Sequence, residues 1–76
     1  MPTITVTVYQ DDEPASGLRV VLGVGAISGV TDAEYTDSDG MAVFELDYEG
    51  SGDVYVNGSI EGHWSSRDES NVDVYL

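Results

Sequence analysis

Chemistry in this chain could come from its carboxylates and its single histidine. The 76 residues include fifteen Asp and Glu and one His, against two Arg, no Lys and no Cys. Without cysteine there are no disulfides, thiolate metal sites or cysteine nucleophiles. The remaining candidates are an aspartate-rich loop, a hydrolytic site around the histidine, and paired carboxylates.

The aspartate-rich segment 37–40 has acidic residues at alternate positions before a glycine, which is typical of an EF-hand calcium loop. If Gly40 takes the sixth loop position, Tyr35 takes the first and Leu46 the twelfth. Neither supplies the carboxylate that those positions need. The sequence therefore predicts a turn, in which Asp37 bonds the backbone and Gly40 adopts a positive φ, and no metal site.

His63 is the second candidate, since it is the only imidazole in the chain. A triad would need Ser65 or Ser66 as nucleophile and Glu61 or Asp68 as the orienting acid. No strained nucleophile turn or oxyanion motif accompanies them. Carboxylate pairs with glycosidase-like spacing arise by chance in any chain this acidic. We therefore predict no catalytic residue and no cofactor; the alternative is a small ligand-binding protein or hydrolase that uses the His63 region.

The acidic residues are spread along the chain from Asp11 onward and give a net charge of −13. This composition resembles that of cytoplasmic proteins from halophilic archaea that accumulate salt, so we expect a K⁺-rich solvent. A competing interpretation is a mimic of nucleic acid, which would need its carboxylates on one face. Two arginines cannot neutralise a run of phosphates, which argues against direct binding to nucleic acid.

The N-terminal residues alternate between apolar and polar types from the start, without a basic run or an apolar segment. This pattern predicts no signal peptide and no membrane span, and it favours a cytoplasmic location. A length of 76 residues fits a single small domain, residues 1–76.

Alternation of apolar and polar residues indicates short β-strands throughout, with no helical period. Asn57-Gly58 predicts a type I′ turn, and the 37–40 turn predicts a second tight hairpin. Ile60, Gly62 and Trp64 are expected to share the inward face of one strand. Seven strands are predicted, at 3–9, 18–24, 34–36, 41–46, 54–56, 59–65 and 72–76.

Three motifs together resemble a known family. They are Pro14 and Gly17 before Leu18–Leu22, Thr36–Gly40 before Val43–Leu46, and Gly52–Val56. The layout is similar to the carboxypeptidase-regulatory-like, transthyretin-like β-sandwich. The resemblance implies an all-β fold, a seven-stranded antiparallel sandwich of Greek-key, prealbumin or immunoglobulin-like type.

Members of this broad group serve mainly as accessory, adhesive or structural modules, and the resemblance implies such a role here. A chain without lysine cannot form the Lys–Asn isopeptide bond of adhesin-type domains. The related hydroxyisourate hydrolases use several His and Arg residues and a Tyr-Arg-Gly-Ser ending, whereas this chain has His63 alone and ends Val72–Leu76. The expected function is therefore non-enzymatic.

Some strand positions expected to face solvent carry no charge, although the chain as a whole is strongly acidic. An uncharged β surface can serve as a contact surface, whereas Thr and Tyr also occur in strands for their β propensity alone. We predict a protein partner or self-association there. The candidate residues are Thr3, Thr5, Thr7, Tyr9, Val21, Tyr55 and Tyr75.

The acidic clusters generate the first prediction, because unscreened repulsion within 11–13, 32–39 and 45–49 opposes folding of a small core. The melting temperature should rise as KCl increases from about 0.1 to 2 M. Circular dichroism melts across a salt series measure this. A melting temperature that is flat or falls with salt would contradict salt adaptation.

Overall fold

The computed structural model describes residues 2–25, 29–68 and 70–76. Within these residues the chain is built of strands and contains no α-helical element. The nine strands are β1 (Thr3–Gln10), β2 (Glu13–Pro14), β3 (Arg19–Val24), β4 (Gly29–Val30), β5 (Glu34–Tyr35), β6 (Met41–Glu45), β7 (Ser51–Val56), β8 (Ser59–Ser65) and β9 (Asn71–Tyr75).

The first sheet is organised around β1, which pairs with β2, β6 and β9. Thr5 and Thr7 each have a partner in antiparallel β6 and another in parallel β9, so these two strands lie on opposite sides of β1. Tyr9 likewise pairs with both β2 and β9, which places β2 on the same side as β6. β1 is therefore the central strand of this sheet, with β2 and β6 on one side and β9 on the other.

The second sheet has the order β4-β3-β7-β8, with β5 also paired to β3. The two short strands β4 and β5 share one edge of β3, and Thr31 lies between them along the chain. The Thr31 hydroxyl accepts a hydrogen bond from the Leu22 N–H at 3.1 Å, and its own N–H donates to the Leu22 carbonyl at 2.9 Å. One threonine thus satisfies the backbone of β3 where the edge strand is interrupted.

Both sheets contribute to one hydrophobic cluster, as the alternation predicts. The inward residues of β1, β3, β6, β7 and β9 are buried, and Trp64 of β8 is only 1% exposed. The cluster consists of Ile4, Val6, Val8, Val20, Leu22, Val24, Ala42, Phe44, Leu46, Val54, Val56, Trp64, Val72 and Val74. The other face of each sheet therefore points away from this core.

Three features differ from the expected seven-stranded antiparallel arrangement. Two additional short strands, β2 and β4, form in segments without a strand pattern. The β1–β9 pair is parallel, and the long connection that parallel strands need includes β7 and β8 of the second sheet. The prediction of a hairpin at 37–40 is also wrong, since β5 belongs to the second sheet and β6 to the first. That turn connects the two sheets.

The expected inward position of Ile60 is wrong as well. A β-bulge interrupts the β7–β8 register, so that Val54 faces Gly62 while Tyr55 faces Ile60. The extra residue, Glu61, shifts the alternation on one side of the bulge. Ile60 consequently lies with Tyr55 on the outer face and is 59% exposed, whereas Trp64 keeps the predicted core position.

The turn chemistry of Asn57-Gly58 is confirmed by φ angles of 51° and 88°. A second turn with both φ values positive joins β1 to β2, where Asp11 has 54° and Asp12 has 66°. Aspartate tolerates this region better than most residues but less well than glycine. The β1–β2 turn is therefore under more local strain than the β7–β8 turn.

The buried side chain of Trp64 links strand β8 to strand β3 of the second sheet. Its indole Nε1 donates a hydrogen bond to the Gly23 carbonyl oxygen at 2.8 Å. Gly52 comes so close to the same carbonyl that an added Cβ would overlap the Gly23 oxygen. Only glycine fits at position 52 without displacing backbone.

Across the described residues there is no helix long and apolar enough to cross a membrane.

The crowding at Gly52 generates the second prediction. Gly52→Ala should lower the free energy of unfolding by about 2–4 kcal/mol, because the methyl group meets backbone that cannot rotate away. Urea unfolding at constant molar KCl measures the change.

Gly62→Ala is the matched control in the neighbouring strand. A Cβ at Gly62 would lie no closer than 3.6 Å to Val72, which is an ordinary contact. Its effect should stay below about 1 kcal/mol. Equal losses in the two variants would show that the contact at Gly52 does not constrain the sheet.

Candidate interaction surfaces

The aspartate-rich turn uses its first carboxylate internally. Asp37 Oδ1 accepts hydrogen bonds from the Asp39 N–H at 2.9 Å and the Met41 N–H at 3.0 Å. Gly40 has a φ of 78°, as the turn motif predicts. Among the described residues, no group of three or more His, Cys, Asp or Glu side chains is placed to hold a metal ion. The carboxylate of Asp37 thus acts as a turn cap.

His63 has an acidic partner that the sequence did not indicate. Its Nδ1 lies 3.0 Å from Oδ1 of Asp53, and the two side chains are 80% and 40% exposed. Register explains the pair, because Asp53 of β7 is directly opposite His63 of β8. Reasoning from neighbours along the chain suggested Glu61 or Asp68 and could not find a partner ten residues away.

The two serines proposed as nucleophiles accept hydrogen bonds from the backbone. Ser65 Oγ accepts from the Arg67 N–H at 3.4 Å and the Asp68 N–H at 3.3 Å. Ser66 Oγ accepts from the Gly50 N–H at 3.0 Å. Both hydroxyls thus stabilise the turn after β8, and neither has a described hydrogen bond to His63. The arrangement is an exposed acid–histidine pair rather than an assembled triad.

Five of the seven candidate contact residues lie together on the outer side of the first sheet. Residues in register across β6, β1 and β9 form rows, for example Val43, Thr5 and Asn71. We call this surface the threonine face. It comprises Thr3, Thr5, Thr7 and Tyr9 of β1, Met41, Val43 and Glu45 of β6, and Asn71, Asp73 and Tyr75 of β9.

Two tyrosines close one end of the threonine face. The rings of Tyr9 and Tyr75 stack with centroids 5.0 Å apart and an interplanar angle of 13°. Tyr75 is nevertheless 69% exposed. Glu45 and Asp73 supply the carboxylates on this face, both on the strands that flank β1. The threonine row and the tyrosine pair are therefore uncharged, with carboxylates beside them.

The other two candidates, Val21 and Tyr55, lie on the second sheet and are not part of the threonine face. They are paired with each other across β3 and β7. Val21 is only 6% exposed and so offers little contact area. The Tyr55 ring packs over Gly23, where an added Cβ would lie 2.8 Å from its Cε2. The uncharged positions thus divide between two surfaces that point in opposite directions.

We call the outer side of the second sheet the Arg19 face. Sequence reasoning found Val21 and Tyr55 of this surface and missed the rest, because its exposed apolar residues depend on the bulge at Glu61 and on the two short edge strands. It comprises Arg19, Val21 and Gly23 of β3, Val30 of β4, Tyr35 of β5, Asp53 and Tyr55 of β7, and Ile60 and His63 of β8.

Two shallow depressions lie on the described surface. One, of about 260 Å³, is bordered by four carboxylates, those of Asp32, Glu34, Glu45 and Asp47. The other, of about 300 Å³, is bordered largely by glycine backbone near Val30 and Tyr55. His63 borders neither depression, whereas its acidic partner Asp53 borders the second. The imidazole of the pair therefore lies outside both depressions.

Comparison with protein-family models, with curated proteins and with solved structures finds no match to this chain.

The third prediction follows from the two hydrogen bonds of Asp37. Asp37→Ala should lower the free energy of unfolding by about 1–2 kcal/mol, because two backbone N–H groups lose their acceptor. Urea unfolding in molar KCl measures this. Asp47→Ala is the control, since Asp47 is an exposed residue.

Calorimetry on the unchanged chain tests the competing metal interpretation of the same turn. No saturable calcium binding at micromolar concentration is expected in molar KCl. One tight stoichiometric binding event that disappears in Asp37→Ala would contradict the structural role.

Proposed function

We propose that this chain is a non-enzymatic binding or structural accessory module that contacts a protein partner through the threonine face. The observation that supports this most strongly is the absence of charge from the central row of that face. A chain of net charge −13 has an uncharged central row of Thr3, Thr5, Thr7 and Tyr9 on one sheet. Charges are depleted in the centres of protein interfaces, because buried charge costs desolvation energy.

The tyrosine pair gives this face a rigid aromatic contact. Tyrosine rings bury large apolar areas while their hydroxyl groups remain able to hydrogen-bond. Tyr75 is mostly exposed, yet stacking against Tyr9 restricts its movement. Ordering this side chain on binding therefore costs less entropy than ordering an isolated one. Val43, which is 45% exposed, adds apolar area beside Thr5.

The proposed fold relationship is a prealbumin-like β-sandwich of the carboxypeptidase-regulatory-like group. Two sheets around one core and the turn from Asp37 to Gly40 before an aromatic strand support it. The strands β2 and β4 and the parallel β1–β9 pair are departures from a seven-stranded antiparallel scheme. Accessory modules of this group carry function on their surfaces, which agrees with the role proposed for the threonine face.

The proposed setting is the cytoplasm of a halophilic archaeon, with concentrated K⁺ as the solvent. Its support is the composition, fifteen acidic residues against two arginines and no lysine. Molar salt shortens the Debye length to about 3 Å and so screens repulsion between neighbouring carboxylates. Under these conditions apolar and hydrogen-bonded contacts dominate association, which favours a face made of Thr and Tyr.

The alternative is a hydrolase or small ligand-binding protein at His63, and the Asp53–His63 pair is the observation in its favour. That pair is largely solvent-exposed, and the hydroxyls of Ser65 and Ser66 accept backbone hydrogen bonds instead. An exposed pair lacks the excluded water and fixed dipoles that stabilise a developing charge. We therefore favour the binding role.

The fourth prediction tests the threonine face by photo-crosslinking. A photoreactive residue at Thr5 should give a discrete product of defined mass with a protein from the source cells in molar KCl. Tyr75→Glu should reduce its yield at least about tenfold, because a buried charge opposes docking. Mass analysis of the product distinguishes a different protein from a second copy.

Two controls separate contact from misfolding. The same photoreactive group at Ser16, an exposed loop position, should give no such product. Tyr75→Phe keeps the aromatic stack on Tyr9 without adding charge, and its yield should stay within about threefold of the unchanged chain. Identical products from positions 5 and 16, or no effect of Tyr75→Glu, would refute the proposal.

A further inference from the structure

The two arginines of the chain have different environments. Arg67 lies 3.4 Å from Glu49 in an exposed ion pair. Arg19, at the start of β3, is exposed, and within residues 2–25, 29–68 and 70–76 no carboxylate lies within 4.0 Å of its guanidinium. An arginine that has no carboxylate partner among the described residues is available to a carboxylate from another molecule.

The charge balance of the Arg19 face differs from that of the whole molecule. Its charged residues are Arg19 and Asp53, which cancel while His63 is neutral. Glu61 lies at its margin, at the bulge of β8, whereas Glu34 is in register with the buried Val20 and so lies on the other side of the sheet. This face therefore presents little of the negative charge that would repel another molecule of the same composition.

The Arg19 face also carries three of the most exposed apolar side chains. Val30 is 66% exposed, Tyr35 is 62% exposed and Ile60 is 59% exposed. They surround the packed centre formed by Val21 and Tyr55. Apolar groups around a closely packed centre give contact area whose burial is favourable in high salt.

The order of residues on this face is self-complementary. Arg19 and Tyr35 form a row at one end, whereas Val30, Gly23, Asp53 and His63 form a row at the other. A twofold axis lying between two such faces, perpendicular to the strands, places the first row of each copy over the second row of the other. Arg19 then lies above Gly23 and next to Asp53 of the other copy, and Tyr35 lies above Val30.

We propose that two copies of the chain pair through the Arg19 face, with Arg19 of each copy bound to Asp53 of the other. Asp53 already holds His63 through Oδ1, so Oδ2 is the oxygen available to the incoming guanidinium. The isologous arrangement makes each ion pair twice. The threonine face lies on the other sheet and stays open in this dimer, so the pairing is independent of the function proposed for that face.

Other occupants fit this face less well. An acidic peptide would find one cation, Arg19, against the carboxylates of Asp53 and the marginal Glu61. A basic protein would meet the guanidinium of Arg19, and a nucleic acid would be repelled by the net charge of −13. Only a second copy brings both the carboxylate that Arg19 lacks and the arginine that Asp53 can accept.

Sedimentation equilibrium from about 0.2 to 2 M KCl tests the dimer. The unchanged chain should dimerise with a dissociation constant on the order of 100 µM, since the face is small. Ile60→Glu should raise that constant at least about tenfold, because it places a charge in the apolar rim. Val43→Glu makes a comparable change at an exposed aliphatic residue of the threonine face and should leave the constant within about twofold.

A charge-reversal experiment identifies the ion pair directly. Arg19→Glu and Asp53→Arg should each weaken dimerisation about tenfold or more at the lower salt, because each places like charges together. An equimolar mixture of these two variants should form a heterodimer close to the unchanged affinity, since both contacts between positions 19 and 53 then join opposite charges again. Misfolded variants could not recover in this way, and circular dichroism checks each one.

Several outcomes would overturn the proposal. The unchanged chain could stay monomeric at about 1 mM in molar KCl, far above the expected dissociation constant. Val43→Glu could disrupt a dimer that Ile60→Glu leaves intact, which would place self-association on the threonine face. The mixture of Arg19→Glu and Asp53→Arg could fail to associate more tightly than either variant alone, which would exclude the Arg19–Asp53 contact.

Discussion

The buried hydrogen bond from Trp64 to the Gly23 carbonyl determines much of the second sheet. The bond is 2.8 Å long and joins β8 to β3 across the intervening strand β7. An unpaired indole N–H in a core would cost a large part of the stability of a domain this small. The carbonyl that accepts this bond also lies so close to Gly52 of β7 that position 52 has no room for a side chain.

Gly23 contacts both the core and the outer surface of the second sheet. The carbonyl of Gly23 accepts the Trp64 hydrogen bond, while the missing side chain of Gly23 leaves space for the ring of Tyr55 on the other side of the sheet. Tyr55 pairs with Val21 and lies opposite Ile60 beside the bulge. The centre of the Arg19 face is thus fixed by the residue that anchors the tryptophan. A substitution that moves Gly23 in the core would therefore also move the Tyr55 ring on the outer surface.

The acidic composition competes with turn chemistry. Asn57-Gly58 has the residues that a turn with two positive φ angles favours, whereas Asp11 and Asp12 adopt similar angles with two adjacent carboxylates. Each such residue costs about 1 kcal/mol in backbone strain and adds local repulsion. Asp37 shows the opposite case, because its carboxylate stabilises the turn that it starts. Acidic residues here thus stabilise some turns and strain others.

Alternation and turn residues predicted local structure well and tertiary placement less well. The strand Ser59–Ser65 and the positive φ values at Asn57 and Gly40 follow from residue type alone. Alternation, however, identifies the face of a strand and not the sheet to which it belongs. It therefore could not show that Val21 and Tyr55 lie apart from the threonine row. The outward orientation of Ile60 depends on a bulge, which is a property of the register between two strands. The alternation of residue types along one strand does not reveal it.

The parallel pair of β1 and β9 has a consequence for how the chain acquires its structure. Hydrogen bonds from Thr5 N–H to Ser70 O and from Leu76 N–H to Tyr9 O frame a ladder between the first and last strands. During synthesis, β1 emerges first yet gains its second neighbour only after residues 71–75 leave the ribosome. Contacts so distant along the chain carry a high loop-closure cost and slow folding. Until then one edge of the central strand is open to pairing with other nascent chains.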